Sequence, residues 1–173
     1  MILSCAVLAT PLGDMLALDS GAGLCALEFT ETGKRLVGLE ARLRRWFPPH
    51  EIVDRDTPII VTTRAWLDAY FAGTSADISG LPLDMRGADF EKRVWDALRR
   101  IPVGATASYA EIAKTIGAPK ATRAVARACG SNRIAVAIPC HRVIGSDGSL
   151  TGYRGGIERK RALLAKEAKA KGD

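Results

Sequence analysis

The segment Ser108-Tyr109-Ala110-Glu111-Ile112-Ala113-Lys114-Thr115-Ile116-Gly117-Ala118-Pro119-Lys120-Ala121-Thr122-Arg123-Ala124-Val125-Ala126-Arg127-Ala128-Cys129 opens with the S-x-x-E spacing of a capping box, so a helix starts at Tyr109. Ile112, Ala113 and Ile116 follow at helical spacing, and Gly117 stops them. Gly117-Ala118-Pro119-Lys120 is turn chemistry, and a second helix is expected from Ala121 to about Cys129. Two short helices joined by a tight turn containing glycine form a helix-turn-helix pattern. On the second helix, Val125 and Cys129 lie four apart and can face a core. Arg123, Ala126, Arg127 and Gly130 recur at i, i+3, i+4 and i+7, so they share the opposite face. Small residues between arginines permit close approach to a phosphate-lined groove; a solvated basic helix is the plainer alternative.

Charge supports the groove. Residues 1–85 carry 7 Lys/Arg and 11 Asp/Glu, a net of −4, whereas residues 86–173 carry 18 and 8, a net of +10. So uneven a distribution points to a polyanionic partner, nucleic acid first. The 173 residues are 47% hydrophobic and 25% charged, an ordinary globular composition. This excludes a disordered tail, a collagen-like repeat and a disulfide-rich miniprotein, and no uncharged apolar run approaches the roughly 18 residues that span a bilayer. Cys5, Cys25, Cys129 and Cys140 form no CxxC pair, and with two histidines the chain lacks the clustered ligands of a structural metal site. The N-terminal run Met1–Thr10 lacks a basic leader and reads as a strand, so a reducing, cytoplasmic setting is expected.

Before the basic half, Ile2–Thr10, Met15–Asp19 and Leu24–Phe29 are apolar runs separated by turn residues, which predicts a small antiparallel meander. Helices are expected over Lys34–Phe47, with Leu36, Leu39, Leu43, Trp46 and Phe47 on one face, and over Ile59–Phe71, ending at Gly73. Leu81-Pro82-Leu83 reads as a last strand or a linker. The charge balance flips near residue 85, which separates an α/β unit (1–85) from a mainly α unit (86–173). In the second unit Asp89 is placed to cap a helix carrying Phe90, Val94, Trp95, Leu98 and Ile101.

After the helix pair comes Asn132-Arg133-Ile134-Ala135-Val136-Ala137-Ile138-Pro139-Cys140-His141-Arg142-Val143. An apolar run read as extended delivers a cysteine directly before an imidazole and a guanidinium, groups that activate a thiolate nucleophile. Neighbours in an extended segment point opposite ways, so a water is expected to bridge Cys140 and His141. A hairpin-type turn, Ile144–Leu150, and a glycine-rich loop, Thr151-Gly152-Tyr153-Arg154-Gly155-Gly156, follow. The final helix carries Ile157, Leu163 and Leu164, with Glu167 toward their face. A carboxylate there calls for a partner, and His141 is the candidate.

Pro139-Cys140-His141-Arg142-Val143 resembles the acceptor-site motif of the O6-alkylguanine-DNA alkyltransferases. The resemblance runs from about Phe90 to Glu167 and takes in Ser108-Tyr109, Arg123-Ala124-Val125, Asn132, Gly152-Tyr153 and Leu163-Leu164-Ala165-Lys166-Glu167. Through Pro119-Lys120-Ala121 and Ala126-Arg127-Ala128-Cys129 it is most similar to the C-terminal domain of bacterial Ada. In the first half only Pro11-Leu12-Gly13 matches clearly. The family's fold is an α/β N-terminal domain followed by a winged-helix-like, mainly α C-terminal domain.

The resemblance implies a DNA-repair protein that transfers the alkyl group of O6-alkylguanine, and of O4-alkylthymine, irreversibly to its own Cys140. His141 matches the base acting through water, Glu167 the carboxylate that orients it, Asn132 the brace of the network, and Tyr109 the phenol that hydrogen-bonds to the departing guanine. Arg123 matches the residue that fills the space of the flipped base. Thr122, Ala124, Ala126 and Arg127 match the rest of a helix that enters the minor groove of duplex DNA. Val143, Tyr153 and Arg154 match substrate-binding positions. Arg154 stands where some relatives carry a small residue, which narrows the pocket or adds a phosphate contact. Some relatives bind zinc in the first domain; the ligands are incomplete here, so no metal is expected, nor any cofactor, obligate protein partner or oligomer. The alternative from another class is a protein that binds alkylated bases without reacting.

Overall fold

The computed structural model describes residues 1–30 and 34–170, and of residues 34–37 the helical backbone alone, so Leu36 of the first helix lies outside the described side chains. The chain divides into two units, Met1–Arg86 and Gly87–Asp173.

In the first unit β1 (Ile2–Leu8), β2 (Met15–Asp19) and β3 (Leu24–Phe29) form the antiparallel meander that the turn residues predict. A fourth strand, β4 (Glu51–Asp54), pairs parallel to β1, with Ile2 opposite Glu51 and Cys5 opposite Asp54, so the order is β3-β2-β1-β4 and the sheet is mixed, not antiparallel throughout. The short, mostly exposed Glu51-Ile52-Val53-Asp54, with acids at both ends, carries no alternating apolar signal. Its pairing depends on the crossover through α1 (Lys34–Trp46). Leu81-Pro82-Leu83 is not a strand; it lies along β3 through one bridge, Leu24 to Leu83, with Leu24 N donating to Pro82 O at 2.8 Å.

Leu39 and Leu43 of α1, with Phe47 just beyond its end, pack on Leu3, Leu18 and Cys25 of the sheet. α2 (Pro58–Ala72) begins where Thr57 accepts from Ile60 N at 3.2 Å with Pro58 at the first helical position, and ends at Gly73, whose φ of 76° is left-handed. It packs against β1, β2 and β3. Buried Glu28 is paired by Arg42 at 2.7 and 2.9 Å.

The second unit packs α3 (Asp89–Leu98), α4 (Tyr109–Thr115) and α5 (Thr122–Ser131) pairwise. Asp89 is the first helical residue, not the cap. The cap is Ala88, which has no side-chain oxygen; instead Glu91 reaches back to accept from Ala88 N at 2.8 Å. Trp95 Nε1 donates to Ala128 O at 2.8 Å and locks α3 to α5. Gly87 lies so close to the Trp95 ring that a Cβ there would sit 2.5 Å from it.

The capping box at α4 has both its bonds: Glu111 N donates to Ser108 Oγ at 3.2 Å and Ser108 N to Glu111 Oε2 at 2.6 Å. Gly117, at φ 71°, makes the turn to α5. β5 (Ala107–Ser108) pairs parallel with β6 (Val143–Ile144), and α6 (Ile157–Ala170) closes the unit. Among the described residues no helix is long and apolar enough to cross a membrane.

Candidate active site

Cys140 is delivered by a chain of tight bends rather than by the extended segment expected from its apolar run. α5 ends at Ser131, and the Asn132 side chain then organises the next eight residues. Its Oδ1 accepts from Ile134 N at 2.9 Å, and its Nδ2 donates to Ile138 O at 2.8 Å and to Cys140 Sγ at 3.2 Å. Ala137 N donates to Ala135 O at 2.8 Å around Val136, whose φ of 68° is the strained γ-turn conformation, unusual for a β-branched residue. Cys140 N donates to Ile138 O at 2.8 Å around Pro139, at φ −81° and ψ 61°, an inverse γ-turn. Cys140–Arg142 is then a turn of 3₁₀ helix packed against α3 and α6. Proline suits the inverse turn because its ring already holds φ near that value.

The structure brings His141 and Glu167 together: Nε2 lies 2.8 Å from Oε1, both side chains buried. Arg142 joins them. Its Nε donates to Glu167 Oε2 and its Nη2 to Oε1, each at 2.9 Å, and its Nη1 donates to Ile101 O at 2.7 Å. One carboxylate thus balances one guanidinium, which leaves the imidazole neutral. Burial, opposed by the Glu167 hydrogen bond, holds His141 below the ordinary histidine value. With Nε2–H given to the carboxylate, the lone pair falls on Nδ1, which is buried without a hydrogen-bond partner among the described residues.

Lys160 is a functional candidate that the sequence reading missed. Its side chain is fully buried on α6, and its Nζ donates to Val143 O at 2.6 Å and to Thr151 O at 3.2 Å. The signal was available, since Lys160, Leu163 and Glu167 share one face at helical spacing. Burial pushes the Cys140 thiol up, and the Asn132 donation and the Lys160 ammonium both pull against it.

Cys140, 9% exposed, lines a cavity of about 600 Å³, within the range of small-molecule sites. Tyr109, Tyr153 and Arg154 line it as well, and so do Thr122, Arg123 and Ala126 of α5. Tyr109 Oη donates to Thr151 O at 3.0 Å. Asn132, His141, Val143 and Glu167 lie buried away from this lining, and Val143 O is occupied by Lys160. Ala124 and Arg127 are not on the lining either; Arg127 is exposed. Cys129, read as a core residue, is buried and also borders the cavity. Among the described residues no group of three His, Cys, Asp or Glu is placed to hold a metal ion.

The buried thiols make stability depend on pH. Burial pushes Cys25 and Cys129 up to about 12 from an ordinary 9.0. Above that ordinary value the unfolded chain releases protons that the folded chain retains, so stability falls as pH rises. The urea midpoint is expected to drop between pH 8 and pH 10, by on the order of 1 kcal/mol per thiol, and less in a Cys25→Ala, Cys129→Ala variant. An equally steep drop in that variant would assign the effect elsewhere. His141 acts on the other side: its depressed value removes stability as pH falls through the unfolded histidine value near 6.5.

Comparison with known proteins agrees with this architecture. Residues 3–85 match the family model of the 6-O-methylguanine DNA methyltransferase ribonuclease-like domain, and residues 89–169 match that of the 6-O-methylguanine DNA methyltransferase DNA-binding domain. A methylated-DNA–protein-cysteine methyltransferase of Mycobacterium bovis is 60% identical over 101 residues, 58% of this chain and 61% of that protein's length. The bifunctional transcriptional activator/DNA repair enzyme Ada of Escherichia coli is 41% identical over 157 residues, 91% of this chain and 43% of Ada. The crystal structure of Mycobacterium tuberculosis OGT in complex with DNA superposes with a TM-score of 0.79 at 40% identity, covering 98% of this chain and 94% of that one.

Proposed function

This chain belongs to the 6-O-methylguanine DNA methyltransferase family, and from that premise we propose that it repairs duplex DNA by taking the alkyl group of O6-alkylguanine, and of O4-alkylthymine, onto Cys140 in a single turnover. The observation that carries this reading is the Cys140 thiol on a cavity wall, held by Asn132 at 3.2 Å and backed by the His141–Glu167 pair at 2.8 Å.

In the proposed step His141 Nδ1 takes the thiol proton through a water, and Glu167 stabilises the imidazolium that forms. Asn132 and Lys160 favour the thiolate. Sγ attacks the alkyl carbon, an S–C bond forms, and the C–O6 bond breaks with its electron pair going to guanine. Tyr109, turning its hydroxyl from Thr151 O, donates a hydrogen bond to the leaving guanine anion, which takes a proton from water while His141 returns the thiol proton to water. A thioether has no group that water can readily displace, so the cysteine is not regenerated. The atoms balance without a cofactor.

The target atom is inside a base stack, so the nucleotide must leave the duplex. Arg123 fills its place, and the loop with Tyr153 and Arg154 receives the base beside buried Val143. Thr122, Ala124, Ala126 and Arg127 follow the minor groove, where the base code is degenerate and little sequence preference is expected. The acidic first unit acts as scaffold for the basic second one.

Incubation with duplex DNA containing O6-methylguanine is expected to add one methyl to the intact mass, map to Cys140 and plateau at one equivalent, with Cys140→Ser taking none. Binding without any adduct would support the non-reactive alternative, and continued turnover would indicate a hydrolase.

A further inference from the structure

Two segments that border the cavity are tied by one side chain. Arg154, on the loop after β6, reaches the last turn of α5, where its Nε and Nη2 donate to the Gly130 carbonyl oxygen at 3.2 and 2.7 Å. Arg154 and Gly130 both line the cavity, and both are exposed. The start of the loop is held independently, since Thr151 O accepts from Tyr109 Oη and Lys160 Nζ. Beyond it the chain turns at Gly152 and Gly156, with φ of 52° and 95°, conformations that glycine adopts without a Cβ penalty. One tie between the far rim of the pocket and α5 is therefore the paired donation from a surface guanidinium to a neutral backbone carbonyl.

Such a bond is open to competition. A guanidinium binds a phosphate through two parallel charge-assisted bonds, each roughly twice as strong as a bond to a neutral acceptor. α5 also carries exposed Arg123 and Arg127, so a backbone phosphate that reaches this helix passes near Arg154. Resting on the DNA-repair reading above, we propose that Arg154 is a specificity-determining latch. On Gly130 O it narrows the pocket of the free protein, and a phosphate of the engaged duplex draws it away so that the flipped nucleotide enters. The latch restrains free alkylated bases more than the same base presented in DNA.

The test compares wild type, Arg154→Ala and Arg154→Lys. Each is measured for Cys140 adduct formation with free O6-benzylguanine, for methyl transfer from an O6-methylguanine duplex, and for the salt dependence of binding to undamaged duplex. Both variants lose the paired donation, and both are expected to react faster with the free base by about fivefold, the factor carried by one net hydrogen bond of ordinary strength. Arg154→Ala is expected to lower the salt slope by about one phosphate contact, while Arg154→Lys keeps its charge and the wild-type slope. Unchanged or slower free-base reaction in both variants would overturn the latch, as would a wild-type salt slope in Arg154→Ala, while leaving methyl transfer by wild type intact. A wild-type protein that takes no methyl from the duplex would overturn the repair reading itself and the latch with it.

Discussion

Glu167→Ala is expected to destabilise the protein by about 3–5 kcal/mol, the cost of stranding a buried charge after its partner is removed. Three donated contacts converge on this carboxylate from the 3₁₀ turn, one from His141 and two from Arg142, and Arg142 is also fastened to Ile101 O. Alanine would leave the Arg142 guanidinium in a site where its side chain is 8% exposed, donating to the neutral Ile101 carbonyl in place of a carboxylate. A loss of this size is a large fraction of the roughly 5–15 kcal/mol that holds an ordinary domain folded. Urea unfolding reads it directly as a shift in midpoint at unchanged slope. Glu167→Gln keeps an acceptor oxygen and the side-chain volume, so it is expected to fall between wild type and alanine. A Glu167→Ala protein within 1 kcal/mol of wild type would show that the cluster is solvated and that Arg142 finds other partners. The same variant lacks the group that holds His141 in its Nε2–H form, so methyl transfer should fall even where the fold survives.

Arg123→Ala is expected to separate base extrusion from chemistry. Arg123 is exposed on α5 and lines the cavity, so its removal leaves the core intact. Extruding a base costs a few kcal/mol of stacking and pairing, which the proposed insertion of Arg123 would offset. Loss of about 3 kcal/mol from that step slows transfer from duplex by roughly a hundredfold. Reaction with free O6-benzylguanine involves no stacked base and should stay within about twofold of wild type, by the same accounting. Equal losses on both substrates would remove Arg123 from base flipping and assign it to the pocket. Unfolding midpoints of the two proteins should coincide, because exposed substitutions of this kind typically move stability by about 0.5 kcal/mol or less.

Much of the second unit was legible because its signals are local. A capping box needs two residues three apart, and Ser108 and Glu111 make both of its bonds. Gly73 and Gly117 end helices through a left-handed φ that glycine adopts without a Cβ penalty. Asp89 shows the limit of such signals: the cap falls one residue earlier, on Ala88, because Glu91 supplies the oxygen from inside the helix. The mixed sheet was hidden for a different reason. β4 is four residues long and mostly exposed, and parallel pairing with β1 depends on a crossover that no short window contains.

The amino-acid sequence by itself determined the helix-turn-helix, the charge division between the halves and the Pro139-Cys140-His141-Arg142-Val143 motif with Glu167 on the face that needs a partner. These follow from residue type and spacing along a single chain segment. Only the tertiary structure decided that the apolar run before Cys140 bends through two γ-turns, and that Arg142 shares Glu167 with His141. The same holds for buried Lys160 on backbone carbonyls and for Arg154 tied to Gly130. In the last two pairs the acceptor is a main-chain oxygen, which every residue carries and no side-chain pattern reveals. Folding alone chooses which carbonyl meets which cation: buried Lys160 must find acceptors within hydrogen-bond reach of where packing leaves it, and exposed Arg154 meets the carbonyl that the fold places beside its loop.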